Sequence, residues 1–201
     1  IETFNLESVW LNEELKFQNL KKLHNFFWLF SLDLKSSKSQ VQDTISKWIS
    51  KNKNYNPSIW EVDTLSRRVI SWLSNSKLTY EDSNNYYRSS FDYIVKKQIN
   101  HLINQIEGNN HFSDKLLGCC AIILVGLSYK EERYLNFGLN LLRKIVKLSF
   151  SEDNFPKTRS VRQNLFYLKH FILIREFLKE THNEIPEYLV EIIYYLGQNY
   201  K

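Results

Sequence analysis

The 201-residue chain contains no methionine, three prolines, five glycines and two cysteines. So few Gly and Pro cannot supply the many tight turns of an all-β fold. The two cysteines are adjacent, Cys119-Cys120, within an apolar segment, and read as buried free thiols rather than as a redox or metal pair. The apolar run Leu116 to Leu127 has twelve residues, well short of the roughly 20 needed to cross a bilayer, so no membrane span is expected. Residues 1–30 lack a basic end followed by an uninterrupted apolar run, the mark of a secretory signal. With Ile1 first and no Met, the chain is expected to be a trimmed product or a piece of a longer one. Charge of one sign is also scarce. Lys and Arg number 27 against 22 Asp and Glu, a balance of +5, and the excess is scattered rather than gathered in the stripe that nucleic-acid binders show. No nucleic-acid partner is expected.

What is present is apolar and aromatic. A hydrophobic fraction of 43% and an aromatic fraction of 15% place the chain among folded globular proteins, because disordered chains lack both. The organising stretch is Leu116–Leu127, uncharged on every side, which as a helix must be surrounded by other helices. Gly118, Cys119, Cys120 and Ala121 are small enough to let neighbours come close, and Asn109, Asn110 and His111 stand just before it.

Around this centre the pattern is helical. After an extended lead-in over residues 1–11, with Trp10 as an anchor, a helix is predicted from Asn12 to Leu34. Val41, Ile45, Trp48 and Ile49 form a stripe at i, i+4, i+7 and i+8 on a helix over about 38–51, and Leu65, Val69, Trp72 and Leu73 repeat the same spacing. Asp63 or Thr64 is expected to cap the second. Residues 75–85 read as turn-like. A long helix over about 86–107 turns Tyr87, Phe91, Ile94, Val95, Leu102 and Ile106 inward. Further helices are predicted over about 131–149, with Leu135, Leu139, Leu142 and Val146 inside, and over 163–179, with Leu165, Leu168, Phe171, Ile172, Phe177 and Leu178. The segment 149–162 between them is irregular, with Asp153-Asn154 as a turn. A last helix starts at Pro186 and stops at Gly197. No alternating strand pattern occurs. The expected fold is all-α, about eight helices, with neighbours antiparallel across short loops.

Few motifs carry chemistry. There is no phosphate loop, no serine nucleophile motif and no Cys/His ligand spacing. The five histidines (His24, His101, His111, His170, His182) include no pair four apart on a helix, so no metal and no cofactor is indicated. What remains are polar and aromatic residues at helix starts: Trp60 and Arg68, Asn109-Asn110-His111, and the segment from Arg159 to Asn164. Trp48 and Trp72 lie on apolar stripes and read as core. Trp60 lies off a stripe and fits either packing or a stacking platform. Arg68 and Arg159 could each grip a carboxylate bidentately or serve in a helix-to-helix ion pair.

Several of these stretches, in order, resemble the N-terminal helical domain of heparinase II/III-like proteins, most closely an alphaproteobacterial type. They are Trp28-Leu29-Phe30-Ser31-Leu32, Trp48-Ile49, Asn56-Pro57-Ser58-Ile59-Trp60, Arg67-Arg68-Val69-Ile70-Ser71-Trp72-Leu73, the Leu116–Leu127 helix, and Asp153 to Ser160. The resemblance spans about residues 20–195 and implies an incomplete (α/α) toroid of antiparallel helix pairs. On that reading residues 1–201 are one toroid domain in the periplasm or cytoplasm of a bacterium, and a C-terminal β-sandwich, absent here, would complete the molecule. Active members are polysaccharide lyases that cleave uronic-acid-containing glycans by β-elimination. An amide and a cation neutralise the uronate carboxylate, and a Tyr or His removes the acidified proton.

Carried onto this chain, Asn110-His111 matches the lyases' catalytic Asn-His step, with Asn110 as the neutraliser. A helix cap is the competing role for Asn110. Trp60, Arg68 and Arg159 become candidate substrate-binding residues. Gln163 stands where the catalytic Tyr is expected, and a carboxamide is no base. The second catalytic histidine would belong to the missing sandwich. The expected partner is an acidic polysaccharide, with catalysis possible only in a full-length protein. The alternative is a non-catalytic helical interaction module that holds a protein or an envelope polymer.

Overall fold

The computed structural model describes residues 17–32, 37–152, 155–158 and 160–198. The predicted lead-in with Trp10, the Asp153-Asn154 turn and Arg159 lie outside the described residues. Among those described, the chain is all-helical: nine α-helices, one 3₁₀ turn, and a single isolated bridge between Phe150 and Pro156. Contacts divide it into two compact units, Ile1–Gln105 and Ile106–Lys201.

The N-terminal unit holds α1 (Phe17–His24), a 3₁₀ turn (Phe27–Ser31), α2 (Lys38–Asn52), α3 (Val62–Ser74), the short α4 (Ser76–Thr79) and α5 (Asn85–Ile106). The single helix predicted across 12–34 is broken. Phe26 adopts a left-handed backbone, φ 56, and the Asn25 carboxamide accepts the Phe27 N–H at 2.9 Å, an Asx turn that competes with the helix. The break drives Phe26 into the core, where its ring lies 5.2 Å from Trp72 and 5.9 Å from Trp48. Trp48 and Trp72 meet edge to face at 5.4 Å, a favoured aromatic geometry. Both are fully buried, as their stripes require. The cap before α3 is Glu61 rather than Asp63 or Thr64.

Into this aromatic core the fold sets a charge. Arg68 is fully buried. Its Nε donates to Gln98 Oε1 at 2.9 Å, Nη1 to the His24 carbonyl at 2.9 Å, and Nη1 and Nη2 to the Ile59 carbonyl at 3.1 Å. Its guanidinium carbon lies 4.3 Å from the centre of the Trp48 ring, a cation–π contact. Desolvation lowers its pKa to about 9, so it remains charged at neutral pH. His24 beside it accepts the Trp48 indole N–H at Nδ1, 2.8 Å away. Burial, and then the nearby Arg68 charge, lower the His24 pKa to about 4, and the imidazole is neutral in the fold.

The C-terminal unit holds α6 (Phe112–Ser128), α7 (Glu132–Ser149), α8 (Val161–Glu180) and α9 (Glu187–Gln198). Every residue from Leu116 to Leu127 is buried, as the uncharged run requires. Close approach is seen at Gly126 and Gly138, besides the predicted small residues. A Cβ on Gly126 would lie 2.5 Å from the Leu135 backbone nitrogen, and one on Gly138 would lie 2.5 Å from the Ile123 side chain. The Cys119 thiol lies 3.2 Å from the Gly138 carbonyl. Both cysteines are free and buried. Leu165, predicted inside, is 55% exposed, because the inward face of α8 narrows to Tyr167, His170, Phe171, Ile174 and Leu178.

Two outcomes test these packings. Gly126→Ala must push α6 and α7 apart at backbone, which no side chain can yield to, and should cost about 1–3 kcal/mol in urea unfolding. An unchanged midpoint would mean that the helices separate freely. For His24, the unfolded chain takes up a proton near the ordinary imidazole value of 6.5 that the folded chain refuses until about 4. Its contribution is therefore complete above pH 6.5 and is lost as pH falls through that window, by about 3 kcal/mol. His24→Asn, which keeps an acceptor but cannot charge, should flatten the dependence of stability on pH between 7 and 4.

Candidate functional site

In the C-terminal unit a groove of about 410 Å³ is lined by Glu107, Phe137, Asn140, Arg143, Lys144 and Lys147, with Leu141 beneath. Its wall is one face of α7, because residues 137, 140, 141, 144 and 147 recur every three or four positions. The opposite face of the same helix carries Leu142, Ile145 and Val146 into the core. This amphipathic division leaves the cations nowhere to go but the solvent side. Phe137 and Leu141 give the groove an apolar floor, and Arg143, Lys144 and Lys147 an exposed cationic rim.

The rim is neutralised only in part. Lys144 pairs with Glu107 at 3.2 Å. Arg143 lies 5.7 Å from the centre of the Tyr188 ring, and neither it nor Lys147 meets a carboxylate among the described residues. Lys157 reaches the Lys147 carbonyl at 3.5 Å, bringing another exposed cation to that end. Such a set attracts anions. A guanidinium can take a carboxylate or sulfate by two parallel hydrogen bonds while ammonium groups add point charge, and the apolar floor suits the hydrocarbon face of a ring.

The predicted residues divide. Glu107 begins the turn that carries Asn110 and His111, and its carbonyl accepts Lys115 Nζ at 3.1 Å. Asn110 and His111 are exposed, three and four residues on from a groove wall. The cap position of α6 falls on His111, whose side chain makes no cap bond. Asn109 Oδ1 accepts the His111 N–H at 2.7 Å, so Asn110 is not spent as a cap.

Trp60 and Arg68 belong to the N-terminal unit, and neither is available for binding. Trp60 is 2% exposed, with its indole N–H on the Asn52 carbonyl at 3.3 Å. Arg68 is a structural cation rather than a carboxylate grip. Arg159 lies outside the described residues. Gln163 donates from Nε2 to the Tyr167 hydroxyl at 2.8 Å, and Ser160 caps the same helix by accepting the Gln163 N–H. Tyr167 itself is buried, with desolvation raising its pKa, so it does not replace the missing base.

Arg143, Lys144 and Lys147 did not stand out in the sequence. Their signal was present as three cations on the polar side of an amphipathic helix, but only the fold reveals the apolar floor between them. Replacing Arg68 with Ala should destabilise the chain by about 3 kcal/mol or more, measured by denaturant unfolding, because it leaves a cavity and two buried carbonyls unmet. A stable, folded Arg68→Ala protein would contradict the network. Comparison with protein-family models, with curated proteins and with solved structures finds no match to this chain.

Proposed function

We propose that this chain is the helical, glycan-binding part of a heparinase II/III-like protein, an incomplete (α/α) toroid whose groove on α7 takes the acid groups of a uronate-containing polysaccharide. The observation that carries the reading is the groove of Arg143, Lys144 and Lys147 over an apolar floor, beside the turn bearing Asn110 and His111. Carboxylates meet the cations, and ring faces lie on Phe137. In a full-length protein with a β-sandwich supplying the base, Asn110 would lie where a uronate carboxylate is neutralised, and His111 would stand beside it. This chain alone binds and does not cleave, because Gln163 and the buried Tyr167 offer no proton acceptor.

Binding of short alginate oligomers, measured by calorimetry, should be weak and should weaken further as salt rises, because exposed charges are screened over about 8 Å at physiological ionic strength. The double variant Arg143→Ala/Lys147→Ala removes two exposed side chains and should leave stability within about 0.5 kcal/mol while abolishing that binding. Equal binding by the variant would remove the groove from the reading. No ultraviolet absorbance from unsaturated uronate should develop with the purified chain.

A further inference from the structure

The N-terminal unit carries a second surface whose chemistry is distinct from the groove. Along α5, Tyr86 and Tyr93 are 83% and 63% exposed, two turns apart on one face and so about 10 Å from each other. Lys97 follows one turn later, its Nζ 6.0 Å from the centre of the Tyr93 ring and 5.8 Å from that of Trp60. His101 comes a turn after that, its ring 5.1 Å from Tyr55. Tyr55, 61% exposed, rises from the loop after α2. Lys97 Nζ donates to the Lys53 carbonyl at 2.7 Å, which fixes that loop against α5. Buried Trp60 meets both Tyr55 and His101 edge-on from beneath, at 6.3 and 5.5 Å. Tyr86, Tyr93, half-exposed Lys97 and the Tyr55–His101 pair thus follow one another along a strip about 20 Å long.

Tyrosines exposed this far offer apolar surface with a polar tip to a partner. Lys51, Lys53 and Lys97 meet no carboxylate among the described residues. The one acidic residue of α5, Asp92, accepts the Tyr80 hydroxyl at 3.1 Å. Rings spread along about 20 Å of surface fit an extended chain better than a small molecule, and the charge there fits an acidic one. Ring faces recurring about every two helical turns suit a polymer that presents flat apolar faces at a regular repeat.

We infer that the strip of Tyr86, Tyr93, Lys97 and Tyr55 is a stacking track for an extended acidic polysaccharide, separate from the groove on α7. The inference rests on the acidic-glycan reading of the groove. Two sites on one polymer raise affinity through effective concentration only when the polymer is long enough to reach both.

The test uses the full chain with two probes, a uronate trimer and long-chain alginate, and three proteins besides the wild type. Tyr55→Ala/Tyr93→Ala should weaken long alginate by about tenfold, the usual scale for losing exposed aromatic contacts, and leave the trimer unchanged. Tyr55→Phe/Tyr93→Phe keeps the rings and should bind like wild type. Arg143→Ala/Lys147→Ala should lose the trimer and keep residual, tyrosine-dependent binding of the polymer. Wild-type binding of long alginate by Tyr55→Ala/Tyr93→Ala would overturn the track and leave the groove standing. Failure of the wild type to bind either probe would overturn the glycan reading and the track with it. Tighter, tyrosine-dependent binding of a single-stranded oligonucleotide than of alginate would show that the occupant is nucleic acid, and would overturn the proposal.

Discussion

A guanidinium shut away from water must be met by acceptors on all sides or be expelled, and the N-terminal unit is built to meet Arg68. The side chain leaves α3 and finds the end of α1 through the His24 carbonyl, the loop before α3 through Ile59, α5 through Gln98, and α2 through the face of Trp48. No carboxylate partners it among the described residues. The charge is held by carbonyl and carboxamide dipoles and one ring, each of which has to sit at its own place for the set to close. An apolar side chain of the same size would pack the same helices without choosing between registers. The guanidinium ties four segments to one arrangement, which is the specificity that a buried polar network can give.

How much of this was legible in the sequence depends on whether the signal was periodic. The stripe of Val41, Ile45, Trp48 and Ile49 is buried as its spacing implies, and the uncharged run Leu116–Leu127 is wholly enclosed, because a helix with no polar face has no other stable place. The break at Phe26 was not legible. Asn25 reads as an ordinary polar residue, and only the pull of Trp48 and Trp72 makes the left-handed turn worth its strain. Arg68 and Trp60 stood out in the sequence with two roles open for each, and the structure gives both the packing role: Trp60 is core, and Arg68 is held by carbonyls and a carboxamide rather than by a carboxylate. An Arg on an apolar stripe signals a satisfied core cation as readily as a ligand grip, and sequence cannot show the carbonyls that satisfy it. Trp60 marked the right neighbourhood, but Tyr55 is the exposed ring there. The groove cations were invisible for a different reason: lysines on a polar helix face are common, and the feature that sets these apart is a floor supplied by Phe137 and Leu141.

Charge distribution follows the same logic. The formal excess of +5 looked scattered because cations and carboxylates alternate along the chain. Folding sorts them. Carboxylates such as Asp63 and Asp43 are consumed by neighbours four residues away on their own helices, whereas Arg143 and Lys147 meet no carboxylate among the described residues. A modest net charge therefore becomes a local one, which is what an approaching anion senses within a Debye length.

The enclosure of α6 has a practical side. The chain's two thiols, Cys119 and Cys120, sit together in the middle of that helix, free and wholly buried. Desolvation drives both well above the usual thiol range, with the neighbouring Cys120 adding to the effect on Cys119. Neither can react as a thiolate until α6 comes out of its packing. The rate at which an alkylating reagent marks this protein is thus a native clock for the opening of the C-terminal unit, read without adding a label or changing a residue. A ligand that closes on α7 should slow that clock by as much as it stabilises the unit.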